Sequence, residues 1–581
     1  MKTKLICLFC LLLNSFVLLS QENYKELCDG KSADVNVWNR QKQNIGISWG
    51  DTNIRYSKID VPKLQICFNQ KLRGWKGEKL NALFLVWNKS EDCCITVETT
   101  DLSRKGSSIS KENISVGFVR YVMTDEFAKE GKTSCGFRDK TEWDSSLVAD
   151  VIDIRKDFIL QKHCVTPVWV SINIPHDIIS GEYSGAFIVN VNGKELKRLG
   201  LQIQVLDSEL PSPSQWNFHL DLWQNPYSVA RYYNVDIWGK KHFEVMRPIM
   251  KALADAGQKV ITTSIMHKPW NGQTYDYFES MVTWRKKLDG TWSFGFDIFD
   301  KWVEFMMSLG IDKQINCYSM VPWNYSFKYF DERTNSMKYV KTKPGDKEYD
   351  ELWFAFLVDF AKHLKAKGWF SKTCLAMDER PLPIMKTVVD LIRRADKDFK
   401  IALAGLYYED IEPELYDYCI STDQELPEKV IQRRSKNNLV TTFYTYCADY
   451  KPNTFTFSDP AEATWIPLYA AKLGVDGYLR WAYNSWGENP LQDSRFRQWS
   501  AGDTFLVYPG FRSSVRFEKM IEGIQQYEKL QILKKENKVK ESVMRKLEDC
   551  INSLSIQNLL EEGRASSDIH KIMSLLNDAP F

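Results

Sequence analysis

The sequence predicts an α/β protein: a (β/α)8 TIM-like barrel, preceded by an N-terminal β-sandwich and followed by C-terminal helices. Three observations carry this. Between Phe218 and Tyr483, eight short apolar runs alternate with stretches of helical periodicity, the order that a barrel of parallel strands requires. Upstream, from about Ser32 to Asp207, the runs are short, strand-like and bounded by turn residues. Between the two regimes stands Leu210-Pro-Ser-Pro-Ser214, a linker by composition. A doubly wound α/β sheet is the rival architecture.

Residues 1–20 read as an export signal. Lys2 and Lys4 precede the apolar run 5–13, and Ser20 supplies a small residue before Gln21. Leu18 occupies a position that prefers a small side chain, and a membrane anchor is the alternative. Asn14 and Ser15 interrupt the run, however, and leave it short for a span. The expected chain is secreted across the inner membrane, periplasmic or extracellular, with no membrane span after signal cleavage.

The sandwich is expected over residues 21–210. Its clearest hairpin joins 186–191 to a strand ending at 205 through Asn192-Gly193, the preferred pair for a type I′ turn. The barrel is expected over 215–512, with strands at 218–222, 259–265, 314–320, 373–377, 400–405, 418–421, 439–446 and 477–483. Helices are expected at 242–256, 296–309, 349–367, 382–395, 427–435 and 460–473, the first three ending at Gly257, Gly310 and Gly368. Residues 513–581 carry helical spacing, for example Met520, Ile524 and Tyr527. The charged tract 529–546 reads as a solvated face.

Lys plus Arg number 77 and Asp plus Glu 75, so no nucleic-acid or membrane-surface footprint shows. Of thirteen cysteines, Cys7 and Cys10 fall in the signal; the rest are scattered without a C-x-x-C. That argues against a zinc ribbon or a dense disulfide framework and leaves room for one or two bridges. The seven histidines are scattered too, and no metal site or cofactor is expected.

The candidate chemistry lies in Lys372-Thr-Cys-Leu-Ala-Met-Asp-Glu-Arg-Pro381. Asp378 and Glu379 end the fourth barrel strand, where barrel enzymes hold their catalytic groups. Strand neighbours point to opposite faces, so both can face the mouth only where the strand gives way to its loop. Capping of the helix that follows is the plain alternative. Trp223, Trp270, Trp323, Tyr444, Trp481, Tyr483 and Trp486 fall near other strand ends and offer platforms for sugar rings, core packing being the alternative for each. Adjacent carboxylates fit poorly on either side of a scissile bond. They suit a substrate-assisted scheme in which a 2-acetamido oxygen attacks, one carboxyl protonates the leaving oxygen and its neighbour holds the acetamido N–H.

The stretches MDERP, NTFTFSDPAEATW, DGYLRWAYNSW, DSRFR and AGDTFLVYPG, in that order, resemble glycoside hydrolase family 123, a family of β-N-acetylgalactosaminidases. The resemblance runs from about 216 to 526. It implies a retaining, substrate-assisted mechanism on a (β/α)8 barrel without metal or cofactor. Glu379 matches the family's general acid/base, and Asp378 the residue that orients the acetamido group. Further expectations follow from position. Tyr444 bonds the acetamido oxygen, with Tyr446 on the same strand face. Trp481 and Trp486 wall the acetamido pocket, with Tyr483 and Trp323 as further platforms. Asn484, Asp493 and Arg495 read sugar hydroxyls including the axial O4, a loop ion pair being the alternative for the last two. His267 is a further candidate, with a structural histidine as its alternative. The implied substrate is a glycolipid or mucin-type glycan with terminal β-linked N-acetylgalactosamine, with no nucleic acid. Glucosamine specificity, endo action, a non-catalytic glycan-binding barrel and a scaffold role stay open.

Overall fold

The computed structural model describes residues 24–125, 135, 145–496, 499–536 and 539–579; the expected export signal lies outside them. Two antiparallel-rich sheets form the N-terminal sandwich. One runs in the order Ile45–Gly50, Lys79–Asn88, Cys164–Asn173, Ile114–Thr124, Ser146–Asp153. The other is centred on Lys194–Glu209 and Gly181–Val191, which pair through the expected turn with Asn192 and Gly193 both at positive φ. Trp49, Phe84 and Phe187 interlock between the sheets. Strand Lys79–Asn88 is buried on both faces, because Trp38, Leu85 and Trp87 form a second cluster behind it. That explains its unbroken apolar run.

The barrel strands are β1 (His219–Leu222), β2 (Val260–Ser264), β3 (Gln314–Tyr318), β4 (Thr373–Asp378), β5 (Lys400–Gly405), β6 (Asp417–Ser421), β7 (Val440–Tyr444) and β8 (Gly477–Arg480). They pair in parallel in the order β1-β8-β7-β6-β5-β4-β3-β2. Between β1 and β2 the ladder is nearly absent, and two glutamines bridge it. Gln258 accepts from the Leu222 N–H at 2.9 Å and donates to the Val260 carbonyl at 2.7 Å, and Gln224 accepts from the Thr262 N–H at 2.9 Å. Buried backbone groups are thereby satisfied where the strands diverge.

Helix Pro460–Leu473 is buried almost all round, which its low amphipathicity requires. It opens with a capping box of Asp459 and Glu462. Its outer face is covered by helix Val515–Glu536, so part of the C-terminal segment completes the barrel. Just before that helix, Ser513–Ser514 joins the sandwich sheet beside Ser146–Asp153. Buried ion pairs fix this junction: Arg512 to Asp153 at 2.7 Å, Arg516 to Asp150 at 3.0 Å and Lys529 to Glu78 at 2.5 Å. Lys529 is therefore no part of a solvated face, because Glu78 neutralises it inside the protein.

Two departures from the sequence pattern shape the mouth. Residues 406–416 are too few for a helix and its return, so β5 and β6 are linked through the short turn Glu412–Glu414. The loops after β2 and β3 build an unforeseen four-stranded sheet, Trp292–Gly295, Thr283–Lys286, Ser326–Asp331 and Ser336–Lys341. Among the described residues no helix is long and apolar enough to cross a membrane.

Candidate active site

Asp378 is the last residue of β4, in register with Ala404 of β5. The Glu379 N–H still donates to the Ala404 carbonyl at 2.7 Å, but Glu379 itself turns left-handed, with φ of 41°. In a continued strand the two carboxylates would face apart; the turn brings both to one cavity. A non-glycine residue there costs roughly 1–3 kcal/mol, and such strain collects at functional sites. Gly405 makes room for it: a Cβ there would stand 3.2 Å from the Glu379 N and Cα. Helix Leu382–Ala395 starts after Pro381, with no side-chain cap bond and no acid in its first turn. The capping alternative is thereby removed.

The two carboxyls have different surroundings. Asp378 is buried; its Oδ2 accepts from the Trp323 indole N–H at 2.9 Å, and Arg380 lies 3.8 Å from its Oδ1. Arg380 is held by stacking on the Trp323 ring and by donating to the Asp378 carbonyl at 2.7 Å. Burial raises the pKa of Asp378, while Arg380 and Trp323 pull it back. Asp378 Oδ1 has no hydrogen-bond partner among the described residues. Glu379 opens to the cavity, and its Oε1 accepts from the Tyr444 hydroxyl at 2.9 Å. Its pKa is raised by burial and by the charge of Asp378, and the Tyr444 bond opposes this. Burial thus pushes both carboxyls up; the Arg380 cation and the Trp323 N–H favour the Asp378 anion, while the charge of Asp378 adds to the push on Glu379.

The cavity measures about 440 Å³ and occupies the C-terminal mouth of the barrel. Five of the expected aromatics line it: Trp223, Trp270, Trp323, Tyr444 and Trp481. Trp223 and Trp270 pack at 4.9 Å between ring centres, and both pack against Tyr318. Tyr446 also reaches it. Several lining groups escaped the sequence reading. Trp499 lies 5.5 Å from the Trp481 ring and donates to the Gln273 carbonyl at 2.8 Å. The disulfide Cys135–Cys447 joins a sandwich residue to the loop after β7. Asp503 sits opposite β4. None of these falls on a periodic element; Asp503 lies within the family stretch AGDTFLVYPG, but that resemblance assigned it no role.

Other expected residues lie elsewhere. Tyr483 is fully buried and donates to the Ile249 carbonyl at 2.9 Å. Trp486 is buried and donates to the Val507 carbonyl at 2.7 Å. Both fill the core, because β8 ends at Arg480 and the chain after it runs inward rather than along the rim. Asn484 exchanges hydrogen bonds with the backbone of Asn225, at 2.9 Å in each direction, pinning the loop after β1. Asp493 and Arg495 form a two-pronged ion pair, at 2.9 and 2.8 Å, against the sandwich strand that ends near Met123. His267 pairs with Glu279 at 2.8 Å, which with Lys328 holds the Glu279 carboxyl down at about 2. These residues are outside the cavity lining. Among the described residues no group of three or more His, Cys, Asp or Glu is placed to hold a metal ion.

The family model for the glycoside hydrolase 123 catalytic domain matches residues 223–533, and that for the glycoside hydrolase 123 N-terminal domain matches residues 49–191. A family 123 glycoside hydrolase from Clostridium perfringens, solved for the details of glycolipid glycan hydrolysis, superposes with a TM-score of 0.83 at 28% identity, covering 92% of this chain and 98% of that one. A family 39 glycoside hydrolase from Bacteroides cellulosilyticus WH2 covers 74% of this chain and 80% of its own, at 10% identity and a TM-score of 0.33. No curated protein matches the chain.

Proposed function

The chain belongs to glycoside hydrolase family 123, and from that premise we propose that it is a retaining enzyme releasing terminal β-linked N-acetylgalactosamine from glycans, with the substrate's own 2-acetamido oxygen as nucleophile. The observation that carries this reading is the division of labour within Asp378: Oδ2 accepts from the Trp323 indole, while Oδ1, 3.8 Å from the Arg380 guanidinium, has no hydrogen-bond partner among the described residues. A carboxylate fixed on one side, and on the other facing a cation without a donor at bonding distance, suits an acetamido N–H. Glu379, pushed towards its acid form, suits the leaving oxygen.

In the first step the acetamido N–H donates to Asp378, the acetamido oxygen bonds to C1, and the bond from C1 to the leaving oxygen breaks as Glu379 gives up its proton. The positive oxazoline-type intermediate lies against the Asp378 anion. In the second step Glu379 takes a proton from water, water bonds to C1, and the C1 bond to the acetamido oxygen opens. Two inversions give retention.

The relative from Clostridium perfringens supports a glycolipid glycan as the substrate class. The Cys135–Cys447 bridge supports an exported enzyme, since such bonds persist in oxidising compartments.

The test is hydrolysis of nitrophenyl β-N-acetylgalactosaminide, β-N-acetylglucosaminide and β-galactoside by wild type and Asp378→Asn. The galactosaminide is expected to be the preferred substrate, with activity lost in the variant and a thiazoline mimic of the intermediate inhibiting strongly. Turnover of the plain galactoside would overturn the mechanism. Preference for the glucosaminide would overturn the sugar assignment alone.

A further inference from the structure

We propose that Asp503 is a specificity-determining residue that accepts a hydrogen bond from a hydroxyl on the far edge of the sugar ring, O4 or O6. The inference rests on the substrate reading above and adds to it the residue that would read the sugar's configuration.

Asp503 lines the cavity, yet its side chain is almost wholly buried. Its Oδ1 is held by Arg480 at 2.6 Å, and Arg480 is fixed in turn by Asn453 at 2.8 Å. Oδ2 has no hydrogen-bond partner of good geometry among the described residues, although the neighbouring Trp481 side chain joins Arg480 in favouring the carboxylate anion against burial. A buried carboxylate oxygen without a donor carries a desolvation cost that a ligand hydroxyl can relieve. Arg480 ends β8, which stands four strands from β4 in the ring of eight, so Asp503 lies across the mouth from Asp378 and Glu379. With C1 and the 2-acetamido group against β4, the part of a pyranose that reaches the opposite wall is the C4–C6 edge. The local chain is shaped for this approach. At Gly502, with φ of 77°, a Cβ would meet the Thr456 N at 2.9 Å and force the Asp503 segment out of place. Asp493 and Arg495, the residues expected from the sequence to read O4, face the sandwich and leave this task unfilled.

The test compares the nitrophenyl β-N-acetylgalactosaminide with its 3-, 4- and 6-deoxy analogues, on wild type and on Asp503→Asn. Wild type is expected to lose about 10²-fold or more in kcat/KM on the 4- or the 6-deoxy sugar, since a site built to bond a hydroxyl rejects the analogue lacking it. Asp503→Asn is expected to lose a similar factor on the parent sugar and little more on that same analogue, so that the two losses do not multiply. Multiplying losses would assign Asp503 a structural role and overturn the proposal. If the variant does not fold, wild type decides alone: tolerance of both far-edge analogues within about 3-fold overturns the assignment, and a large penalty on one of them supports it. Failure of wild type to turn over any 2-acetamido sugar would instead bring down the substrate reading, and this inference with it.

Discussion

Tyr444 donates its hydroxyl to Oε1 of Glu379 at 2.9 Å, tying the end of β7 to the left-handed turn after β4. The bond stabilises the Glu379 anion and lowers a pKa that burial and Asp378 raise. Tyr444→Phe is therefore expected to raise that pKa further. The alkaline limb of kcat/KM, measured on a glycan linkage that needs the acid, moves to higher pH. An alkaline limb that stays in place would show that Glu379 does not set it.

Glu379→Gln is expected to lose about 10²–10⁴-fold on glycan linkages and to lose the alkaline limb altogether. With a nitrophenyl leaving group the first step needs little acid, so a burst of nitrophenol is expected to survive. Equal loss on both substrates in single-turnover measurements would argue against the acid role.

Trp323→Phe removes the indole donor from Asp378 Oδ2 while keeping a ring beneath Arg380. Asp378 has to be ionised to hold the acetamido group. Its pKa, already raised by burial, rises further without the donor, so the acid limb of the pH profile is expected to shift upwards. An unchanged acid limb, measured with the galactosaminide, would place the working anion elsewhere.

Gly405→Ala puts a methyl 3.2 Å from the Glu379 N and Cα, too close by a few tenths of an ångström. The variant is expected to fold and to lose on the order of tenfold in kcat, since small displacements of a catalytic group carry large rate effects. Full activity with an unchanged crystal position of Glu379 would show that the turn has slack.

Asp417, inside the barrel, accepts from Gln314 at 2.6 Å, yet burial pushes its carboxyl up to about 6. The unfolded chain releases this proton near pH 4, and the folded one holds it to about 6. Folding stability from this group is therefore present at low pH and declines as pH rises through that window, by roughly 3 kcal/mol for a shift of about two units. Asp417→Asn is expected to remove this decline in urea titrations between pH 4 and 7. An identical pH slope in both proteins would contradict the account.

Much of the fold was legible because its signals are periodic. Helix Pro460–Leu473 begins and ends where its periodicity places it, and the Asn192-Gly193 turn adopts the expected backbone. Several other element ends differ by a few residues, as at β8, where the apolar run continues to Tyr483 while the strand stops at Arg480. That difference moved Tyr483, Asn484 and Trp486 from the expected rim into the core, since alternation no longer governs side-chain direction after a strand ends. The four-stranded sheet leaves little trace in the sequence because its strands lie inside the loops after β2 and β3 and are too short to stand out beside the barrel rhythm.

By itself the sequence determined the order of strands and helices, the Asp378-Glu379 pair at the end of β4 and the family motifs, all of which are local patterns. Only the tertiary structure decided which groups meet. Tyr444 reaches Glu379, Trp323 reaches Asp378, Cys135 bonds Cys447, and Asp503 faces the pair across the mouth, because closing the barrel brings strands distant in the chain to one rim. The left-handed turn at Glu379 belongs to this second class. It persists because the backbone of β5 holds its N–H and Gly405 leaves it room, and neither condition can be read from the neighbouring residues alone.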